Sequence, residues 1–430
     1  MRSDRRTPEQ CQVLLQQYLT RHHSCVTPHK VNGIALTGGG MYSGNLVFAQ
    51  VMDLLPLKAF WRCVRQYPER RPCRTFTCLD QFLCMAFAQL TCRESLRDIE
   101  SCLRAVPTKL YHLGIRGNVC RTTLADANER RDWRIFADFA QVLITEAREL
   151  YAKDTGVADL SQTVYALDST TIDLCLELFP WAKLRRSKAA VKLHTLIDLR
   201  GSIPTFIHIT DGKVHDVNAL DVLAPEPGAY YIMDRGYQDL ERFHRLHSAG
   251  SFFVTRPKTT LLLRRIQSQP IDKTTGVRSD WIVRADGVKT TTAYPDRLRR
   301  VRFRDVETKK TLIFITNDFE LPAHVIAALY KARWQVELFF KWVKQHLHIK
   351  AFFGTSENAV KTQVWIAMSV YVLIAILRKR LRLDHLTLWQ ISQVLSLTCF
   401  EKTAVNSLFL YDKDVPEDPS VGKQLSFLDF

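Results

Sequence analysis

The spacing of apolar residues changes at about residue 161, and no other feature of the sequence constrains the fold as strongly. Before this point, from Asn45 to about Leu150, apolar residues recur at helical intervals, which predicts amphipathic helices. After it, the segments TVYALD, VKLHTLIDL and IPTFIHIT alternate and are rich in β-branched residues, which predicts strands. Short helical patterns separate the later strands. The sequence therefore predicts a mixed α/β domain behind a helical region.

A predicted hairpin, a predicted helix start and a predicted insertion add detail to this fold. A hairpin is expected around Arg200-Gly201-Ser202, between two strand patterns. A helix start is expected in TCRESLRDIE, where Thr91 precedes Glu94 by three residues as in a capping box. Residues 256–304 are polar and turn-rich, with 13 Lys and Arg against 4 Asp. We expect an insertion there, followed by a strand in TLIFITND and then by helices to about residue 397.

The net charge indicates a polyanionic partner. The chain has 60 Lys and Arg against 44 Asp and Glu, so its formal net charge is +16 and its sequence pI is near 9.4. Nucleic acid and an anionic membrane surface both fit this excess, and charge alone also leaves open a merely basic enzyme. The longest apolar run, residues 364–377, falls short of the ~20 residues that cross a bilayer. It predicts a buried helix, and no membrane partner is expected.

The cysteines and the first residues predict a cytoplasmic protein. The 11 cysteines include no CxxC pair and match no zinc-ligand spacing. The opening MRSDRRTPEQ is charged and lacks the apolar run of a secretory signal, so reduced thiols are expected. Residues 1–40 are expected to be a poorly ordered extension and residues 411–430 a disordered tail. Whether translation starts at Met1 or Met41 is left open.

One segment of helical pattern carries a single carboxylate among bases. In LYKARWQVELFFKWVKQHL, residues 329–347, a rotation of about 100° per residue places four polar side chains within an arc of roughly 60°. They are Tyr330, Arg333, Glu337 and Lys344. An apolar stripe lies beside the arc, so the helix should be buried on one flank and present these groups together. A solvated, salt-bridged face would show similar spacings.

Two further acids end strand patterns. Asp168 shares one face of its strand with Val164 and Ala166, and Asp234 ends the pattern YYIMD. Acids at strand ends are typical sites of chemistry on α/β scaffolds, although a lone Asp there is more often a cap or turn former. Three carboxylates brought together repel unless divalent cations separate them. Two such ions can activate a water or a 3′-hydroxyl for displacement at phosphorus.

These motifs, in this order, resemble the DDE transposases of bacterial insertion sequences. Tyr330-x2-Arg333-x3-Glu337-x6-Lys344 is similar to the Y-R-E-K signature of insertion-sequence family four, which includes the Tn-five type. Asp168-Ser-Thr-Thr and Asp234-Arg-Gly-Tyr are similar to that family's first and second acidic motifs. The resemblance covers about residues 42–400. It implies an α/β fold with an RNase H-like mixed-sheet catalytic core, a β-rich insertion in that core, and helical N-terminal and C-terminal regions.

The resemblance implies three regions with different functions along the chain. The implied regions are a DNA end-binding domain at 41–150, a catalytic domain at 151–350 with its insertion at about 256–310, and a helical region at 351–410. The implied reaction is strand cleavage at the element ends followed by attack of the freed 3′-OH on target DNA. The implied partners are the terminal inverted repeats and target DNA, both double-stranded, held by a homodimer in a synaptic complex near the bacterial nucleoid. A hairpinned intermediate is left open.

Residue roles follow from the same resemblance. It implies that two Mg²⁺ ions, for which Mn²⁺ could substitute, are bound by the catalytic acids Asp168, Asp234 and Glu337. It implies phosphate contacts beside the metals by Tyr330, Arg333 and Lys344, whose cationic members suit phosphate. The same DNA backbone would pass near Arg235 and Tyr237.

Basic and aromatic residues elsewhere are further candidates for DNA contacts. A run of bases after Trp181 is either a solvated face or a backbone contact; it includes Arg185, Arg186, Lys188 and Lys192. The insertion is a candidate clamp, in which Trp281 and Tyr294 either stack on a displaced base or pack a small β core.

We therefore expect a metal-dependent DDE transposase. A DNA-binding remnant that cannot cut and a plain structure-selective nuclease are the alternatives. The three intact acids argue against a remnant, and the complete Tyr-Arg-Glu-Lys set argues against a plain nuclease.

Overall fold

The structure of the chain is a computed structural model, which describes residues 45–69, 73–185, 188–346 and 352–409. The extension predicted at 1–40 and the tail predicted at 411–430 lie outside these residues. Within the described part, helices come first, a mixed sheet follows, and helices return at the end. Two large hydrophobic clusters cover the two faces of the sheet. The predicted α/β class is confirmed.

In the described ranges 45–69 and 73–151, the helical pattern corresponds to six α-helices. They are α1 at Val47–Met52, α2 at Leu57–Gln66, α3 at Cys78–Leu90, α4 at Leu96–Arg104, α5 at Arg121–Arg130 and α6 at Arg134–Tyr151. The capping box predicted at Thr91 is wrong, because Thr91 ends α3 and Cys92 has a left-handed backbone (φ 55°) that stops the helix. The N-cap of α4 is Ser95, whose side chain accepts a hydrogen bond from the Asp98 amide.

The strands form one ten-stranded mixed sheet. They are β1 at Val164–Leu174, β2 at Lys183–Arg185, β3 at Lys188–Asp198, β4 at Ile203–Asp211, β5 at Tyr230–Met233, β6 at Phe252–Thr255, β7 at Leu263–Ser268, β8 at Val277–Ala285, β9 at Leu298–Arg304 and β10 at Thr311–Thr316. Their order is β2-β3-β1-β5-β6-β10-β9-β8-β7, and β4 also pairs with β3, at Val191–Asp198. The predicted insertion supplies β7, β8 and β9, which extend the core sheet. Three short helices lie between strands, α7 at Ala219–Val222, α8 at Leu240–Ser248 and α9 at Val288–Ala293.

The hairpin predicted between β3 and β4 is confirmed. Its turn contains Gly201, with φ at +75°, followed by Ser202 with φ at +55°. A Cβ on Gly201 would lie 2.4 Å from a ring carbon of Tyr151, so the turn requires glycine for its backbone angle and for the approach of α6.

The C-terminal helices are α10 at Ala323–Ala332, α11 at Trp334–His346, α12 at Glu357–Arg380 and α13 at Leu388–Thr398. Helices α10, α11 and α12 pack against strands of the sheet. The single helix predicted over 329–347 is divided at Arg333, which caps α10. Arg333 keeps right-handed helical angles (φ −51°, ψ −29°), so the chain continues into α11 with little change of helical phase.

Helix α12 is the centre of the helical part. It has 24 residues, and its most apolar window of 18 residues has a mean hydropathy of 1.8, so by length and composition it could cross a bilayer. However, 94% of that window is buried inside the protein. It packs against α3, α5, α6 and α13. Near its start, Asn358 donates hydrogen bonds to the carbonyls of Asn128 and Arg131 at the end of α5. The predicted N-terminal and C-terminal helical regions therefore share one core.

Candidate active site

Asp168 and Asp234 are neighbours because β1 and β5 are adjacent and parallel. The last paired residues of these strands are Leu167 and Met233, and the two acids follow them directly. Asp168 stays in β1 and pairs with β3, whereas Asp234 leaves the sheet and caps the 3-10 turn Arg235–Tyr237. Because neighbouring parallel strands end at the same sheet edge, both acids lie at one site.

Glu337 joins this site from the first turn of α11, which packs on β1. The apolar stripe predicted beside the polar arc is confirmed, because Leu329, Val336 and Val343 are fully buried. Burial of that flank holds the helix against the sheet and leaves Glu337 partly exposed at the strand ends.

Arg333 connects two of the three acids. Its guanidinium donates to Asp168 Oδ2 at 2.9 Å and to Glu337 Oε1 at 2.6 Å, and its side chain is only 15% exposed. The third acid contacts the same helical segment, because the Tyr330 hydroxyl donates to Asp234 Oδ1 at 3.4 Å. Acids from two strands and one helix therefore meet around a tyrosine and an arginine three residues apart.

The ionisation of Asp168 reflects these neighbours. Burial is the largest effect and raises the pKa of Asp168, and the nearby charges of Glu337 and Asp234 raise it further. The Ser169 amide, which donates to Asp168 Oδ1 at 2.8 Å, and the Arg333 cation act in the opposite direction. Glu337 and Asp234 are thus close enough to disfavour the negative charge of Asp168, and a cation bound among them would offset this repulsion.

The fit of a divalent metal depends on Arg333. In the described ranges, no three His, Cys, Asp or Glu side chains lie close enough to hold one ion, so the acids do not form the ready-made cage that the sequence predicted. Carboxylate oxygens are nevertheless the ligands that Mg²⁺ prefers, and the positive charge between Asp168 and Glu337 is that of Arg333. The donor set fits a divalent ion on condition that Arg333 moves away.

Two predicted DNA contacts are corrected. Tyr237 is 2% exposed, because its ring packs in the hydrophobic cluster on the far face of the sheet. The Lys192 side chain is 14% exposed, and its ammonium group donates to the Val214 carbonyl at 2.9 Å and pairs with Asp216 at 3.2 Å. Neither side chain offers a surface to DNA in this structure.

The other predicted contacts differ in exposure. Arg235 and Lys188 are exposed, Tyr330 is nearly buried, and Lys344 is partly buried on α11. The backbone of Arg185 belongs to β2, its side chain is outside the described part, and Arg186 lies wholly outside it.

A basic groove beside Asp234 was not predicted residue by residue. Two adjoining cavities of about 410 and 440 Å³ share Arg235, Lys258 and Thr259 and extend from Asp234 over the insertion. Their cationic lining continues through Arg256, Arg265 and Arg300. The net charge of the insertion was the signal for this groove, but which bases line it depends on the pairing of β7, β8 and β9. On α11, exposed Lys341 also lies one turn after Glu337.

The two aromatic candidates in the insertion have structural partners. Tyr294 is fully buried, stacks on His247 and shares a 2.8 Å hydrogen bond with His247 Nδ1, so of its two alternatives the structure supports packing in the core. Trp281 lines the groove with its ring near two guanidinium groups, 5.1 Å from Arg265 and 4.9 Å from Arg300. These cation–π contacts help to hold the cationic side chains at the groove wall.

Comparison with known families now identifies this arrangement. The family described as "Transposase DDE domain" matches residues 159–373, which contain all three acids and both strands that bring Asp168 and Asp234 together. The chain belongs to the DDE transposase family. Its core is therefore RNase H-like, and it acts as a polynucleotidyl transferase. A family described as a domain of unknown function (DUF4372) matches residues 43–116, which contain helices α1 to α4.

Relatives of this transposase carry the same designation. The protein named as transposase y4zB of Sinorhizobium fredii is 37% identical over 62% of this chain and 72% of its own length. The protein named as the transposase for insertion sequence element IS5377 of Geobacillus stearothermophilus is 34% identical over 48% of this chain and 55% of its own. Among solved structures, the piggyBac transposase synaptic complex with hairpin DNA aligns over 82% of this chain and 78% of that chain, at 8% identity and a TM-score of 0.40.

Proposed function

We propose that this transposase cuts and joins the ends of its own insertion sequence with Asp168, Asp234 and Glu337 as the ligands of two Mg²⁺ ions, for which Mn²⁺ can substitute. The observation that carries the proposal is the meeting of these acids around Arg333 and Tyr330. Burial raises the pKa of Asp168, and the charges of Glu337 and Asp234 raise it further, so this site favours a cationic partner.

The chain's own residues have distinct roles in this proposal. With metal bound, Asp168 and Glu337 would no longer pair with Arg333, whose fork would be free to bind a DNA phosphate. Lys344 would supply a point charge further along α11. Tyr330 orients Asp234 through its hydroxyl. The bound ions would supply activation of the attacking water or 3′-hydroxyl and stabilisation of the leaving oxygen.

The basic groove supports a path for the DNA strand. It begins at Asp234 and is lined by cations whose counterion release would drive binding to a phosphate backbone. We infer that double-stranded element ends and target DNA bind along this path, that helices α1 to α6 read the terminal inverted repeats, and that a homodimer assembles the synaptic complex. We place the protein at the nucleoid in the cytoplasm.

The test uses the purified full-length protein, Mg²⁺ and duplexes carrying the inverted repeats that flank the gene. The wild type should cleave these ends and join them to a target duplex. Asp168→Asn, Asp234→Asn and Glu337→Gln should each abolish cleavage and joining while leaving end binding intact. Asp173→Asn, at an exposed position further along β1, is the matched control and should keep both steps.

The alternatives give different products in the same assay. Cutting without joining would indicate a nuclease, and binding without cutting by the wild type would indicate a remnant. If the three acid variants lose end binding together with cleavage, the acids are structural and the proposed assignment fails.

A further inference from the structure

A second polar cluster lies behind the three acids, on the opposite face of β1. Residues alternate between the faces of a strand, so Ser169 points away from the face that carries Asp168. The Ser169 hydroxyl donates to Asp216 Oδ1 at 2.5 Å. Lys192 of β3 pairs with the same oxygen at 3.2 Å. The carboxylate of Asp216 is thereby held by one hydroxyl and one cation.

The position of Asp216 depends on two short turns that contact each other. It begins the 3-10 turn Asp216–Asn218, which follows β4 and packs against the turn Arg235–Tyr237 that follows Asp234. The buried hydroxyl of Tyr237 lies close enough that the charges of Asp168 and Asp216 add to the effect of burial in raising its pKa. This cluster therefore contacts both chain segments that carry the strand-end acids.

The charges around Asp216 identify its counter-ion. His194 lies 3.8 Å from the carboxylate but is fully buried, and burial lowers its pKa to about 4, so it is neutral near neutral pH. Lys192 thus supplies the positive charge that faces Asp216. Its ammonium group is held in place by the Val214 carbonyl as well.

The sheet itself does not fix the distance between Asp168 and Asp234. Pairing between β1 and β5 ends at Leu167 and Met233, one residue before the acids. Beyond this point β1 remains paired with β3, whereas Asp234 turns out of the sheet. Neighbouring carboxylates repel, so the turn that carries Asp234 needs another attachment to β1. The contacts among Asp216, Ser169 and the Tyr237 turn provide one.

We propose that Asp216 is a positioning residue of this transposase, which holds the segments bearing Asp168 and Asp234 at the spacing that metal binding requires. It does so through Ser169 and Lys192 on one side and through the turn of Tyr237 on the other. The inference rests on the proposed assignment of the acids as metal ligands.

The test measures metal binding and catalysis separately. Asp216→Ala should lower the single-turnover rate of end cleavage by about 10-fold to 100-fold, as is usual when a residue that orients metal ligands is removed. It should also raise the Mn²⁺ concentration at half-saturation, both in cleavage and in Mn²⁺ titrations of the DNA-free protein followed by electron paramagnetic resonance. End-DNA affinity in the absence of metal and the melting temperature should be unchanged. Ser169→Ala should show the same changes, and the double variant should be no worse than either single one.

Control variants separate this inference from the proposed function. Asp173→Ala on the same strand should behave as wild type. Wild-type Mn²⁺ dependence in both Asp216→Ala and Ser169→Ala would overturn the inference. A rate loss accompanied by lower melting temperature and weaker DNA binding, with unchanged Mn²⁺ half-saturation, would also overturn it. If Asp168→Asn remains active, the proposed function is refuted, and this inference with it. If Asp168→Asn is inactive and Asp216→Ala behaves as wild type, only this inference is refuted.

Discussion

The guanidinium of Arg333 lies 2.9 Å from the Asp168 carboxylate and also bonds Glu337, so one arginine of the chain pairs with two acids of the site. The two carboxylates cannot keep this pairing and also bind a metal ion between them. On the proposed assignment, metal binding and the Arg333 ion pair are therefore alternatives, and metal binding would free Arg333 for a DNA phosphate.

Replacing Arg333 should have opposite effects on the metal-free and metal-bound protein. Arg333→Gln should lower the free energy of unfolding without metal by about 2 kcal/mol, between the values for exposed and buried ion pairs. It should tighten Mn²⁺ binding to the DNA-free protein, because no internal cation competes. Urea unfolding with and without Mn²⁺ measures both effects. The control is Arg242→Gln, which removes a cation on α8 that pairs with Asp221 and Asp239. If Arg333→Gln binds Mn²⁺ with the same affinity as wild type, Arg333 does not compete with the metal ion.

Asp168 should reduce stability near neutral pH. Its folded-state pKa is raised, with burial as the main cause, so the folded chain binds this proton more tightly than the unfolded chain does. The resulting stabilisation is complete below the unfolded pKa of about 3.9 and is lost as pH rises through the folded-state pKa. Metal-free Asp168→Asn, although inactive, should therefore unfold at a urea concentration equal to or above that of wild type at pH 7. The difference should vanish at acid pH, and an inactive variant that is markedly less stable at pH 7 would contradict this reading.

The groove makes a prediction about salt. Exposed Lys258 and groove-lining Arg265 should each release about one counterion on binding DNA, so Lys258→Ala and Arg265→Ala should each reduce the slope of log K against log[salt] by about 1. Fluorescence anisotropy with an end duplex over a salt series measures the slope. Arg242→Ala removes a cation that is already paired and should leave it unchanged. If all three variants give the same slope of log K against log[salt], DNA does not bind along the groove.

A buried ion pair inside the insertion also contacts the segment that precedes α10. Arg299 of β9 makes two hydrogen bonds to Asp280 of β8, at 3.0 and 2.7 Å, and also donates to the Leu321 carbonyl that precedes α10. Asp280→Ala leaves the buried guanidinium of Arg299 without its closest carboxylate partner, so it should lower the free energy of unfolding by about 3–5 kcal/mol. Asp286→Ala, at an exposed position after β8, should cost little in the same urea titration. Similar values for the two variants would show that the pair does not stabilise the protein.

The periodicity of the sequence predicted most of the fold because its strands and helices bury a regular face. The alternation at Val164, Ala166 and Asp168 and the helical arc of Tyr330, Arg333 and Glu337 are both local patterns, and the structure brings their polar members together. The catalytic roles of these residues stay predictions.

Contacts between segments distant in sequence could not be predicted in this way. Lys192 belongs to a basic run that resembles a DNA surface, and its partner Asp216 comes from a turn after the next strand. Tyr237 follows an exposed Arg-Gly pair, but its ring packs in the core, and the turn that carries it contacts the turn of Asp216. A helical wheel likewise places Arg333 beside Glu337 but carries no information on the third partner, Asp168.

The central claim is that Asp168, Asp234 and Glu337 bind the metal ions of catalysis, and direct counting of bound ions tests it. Isothermal titration of Mn²⁺ into the complex of protein and pre-cleaved end DNA should give two ions per protomer for the wild type and fewer for Asp234→Asn, with DNA still bound. An Asp234→Asn complex that binds as many ions with the same affinity, while failing to join ends to a target, would contradict the account.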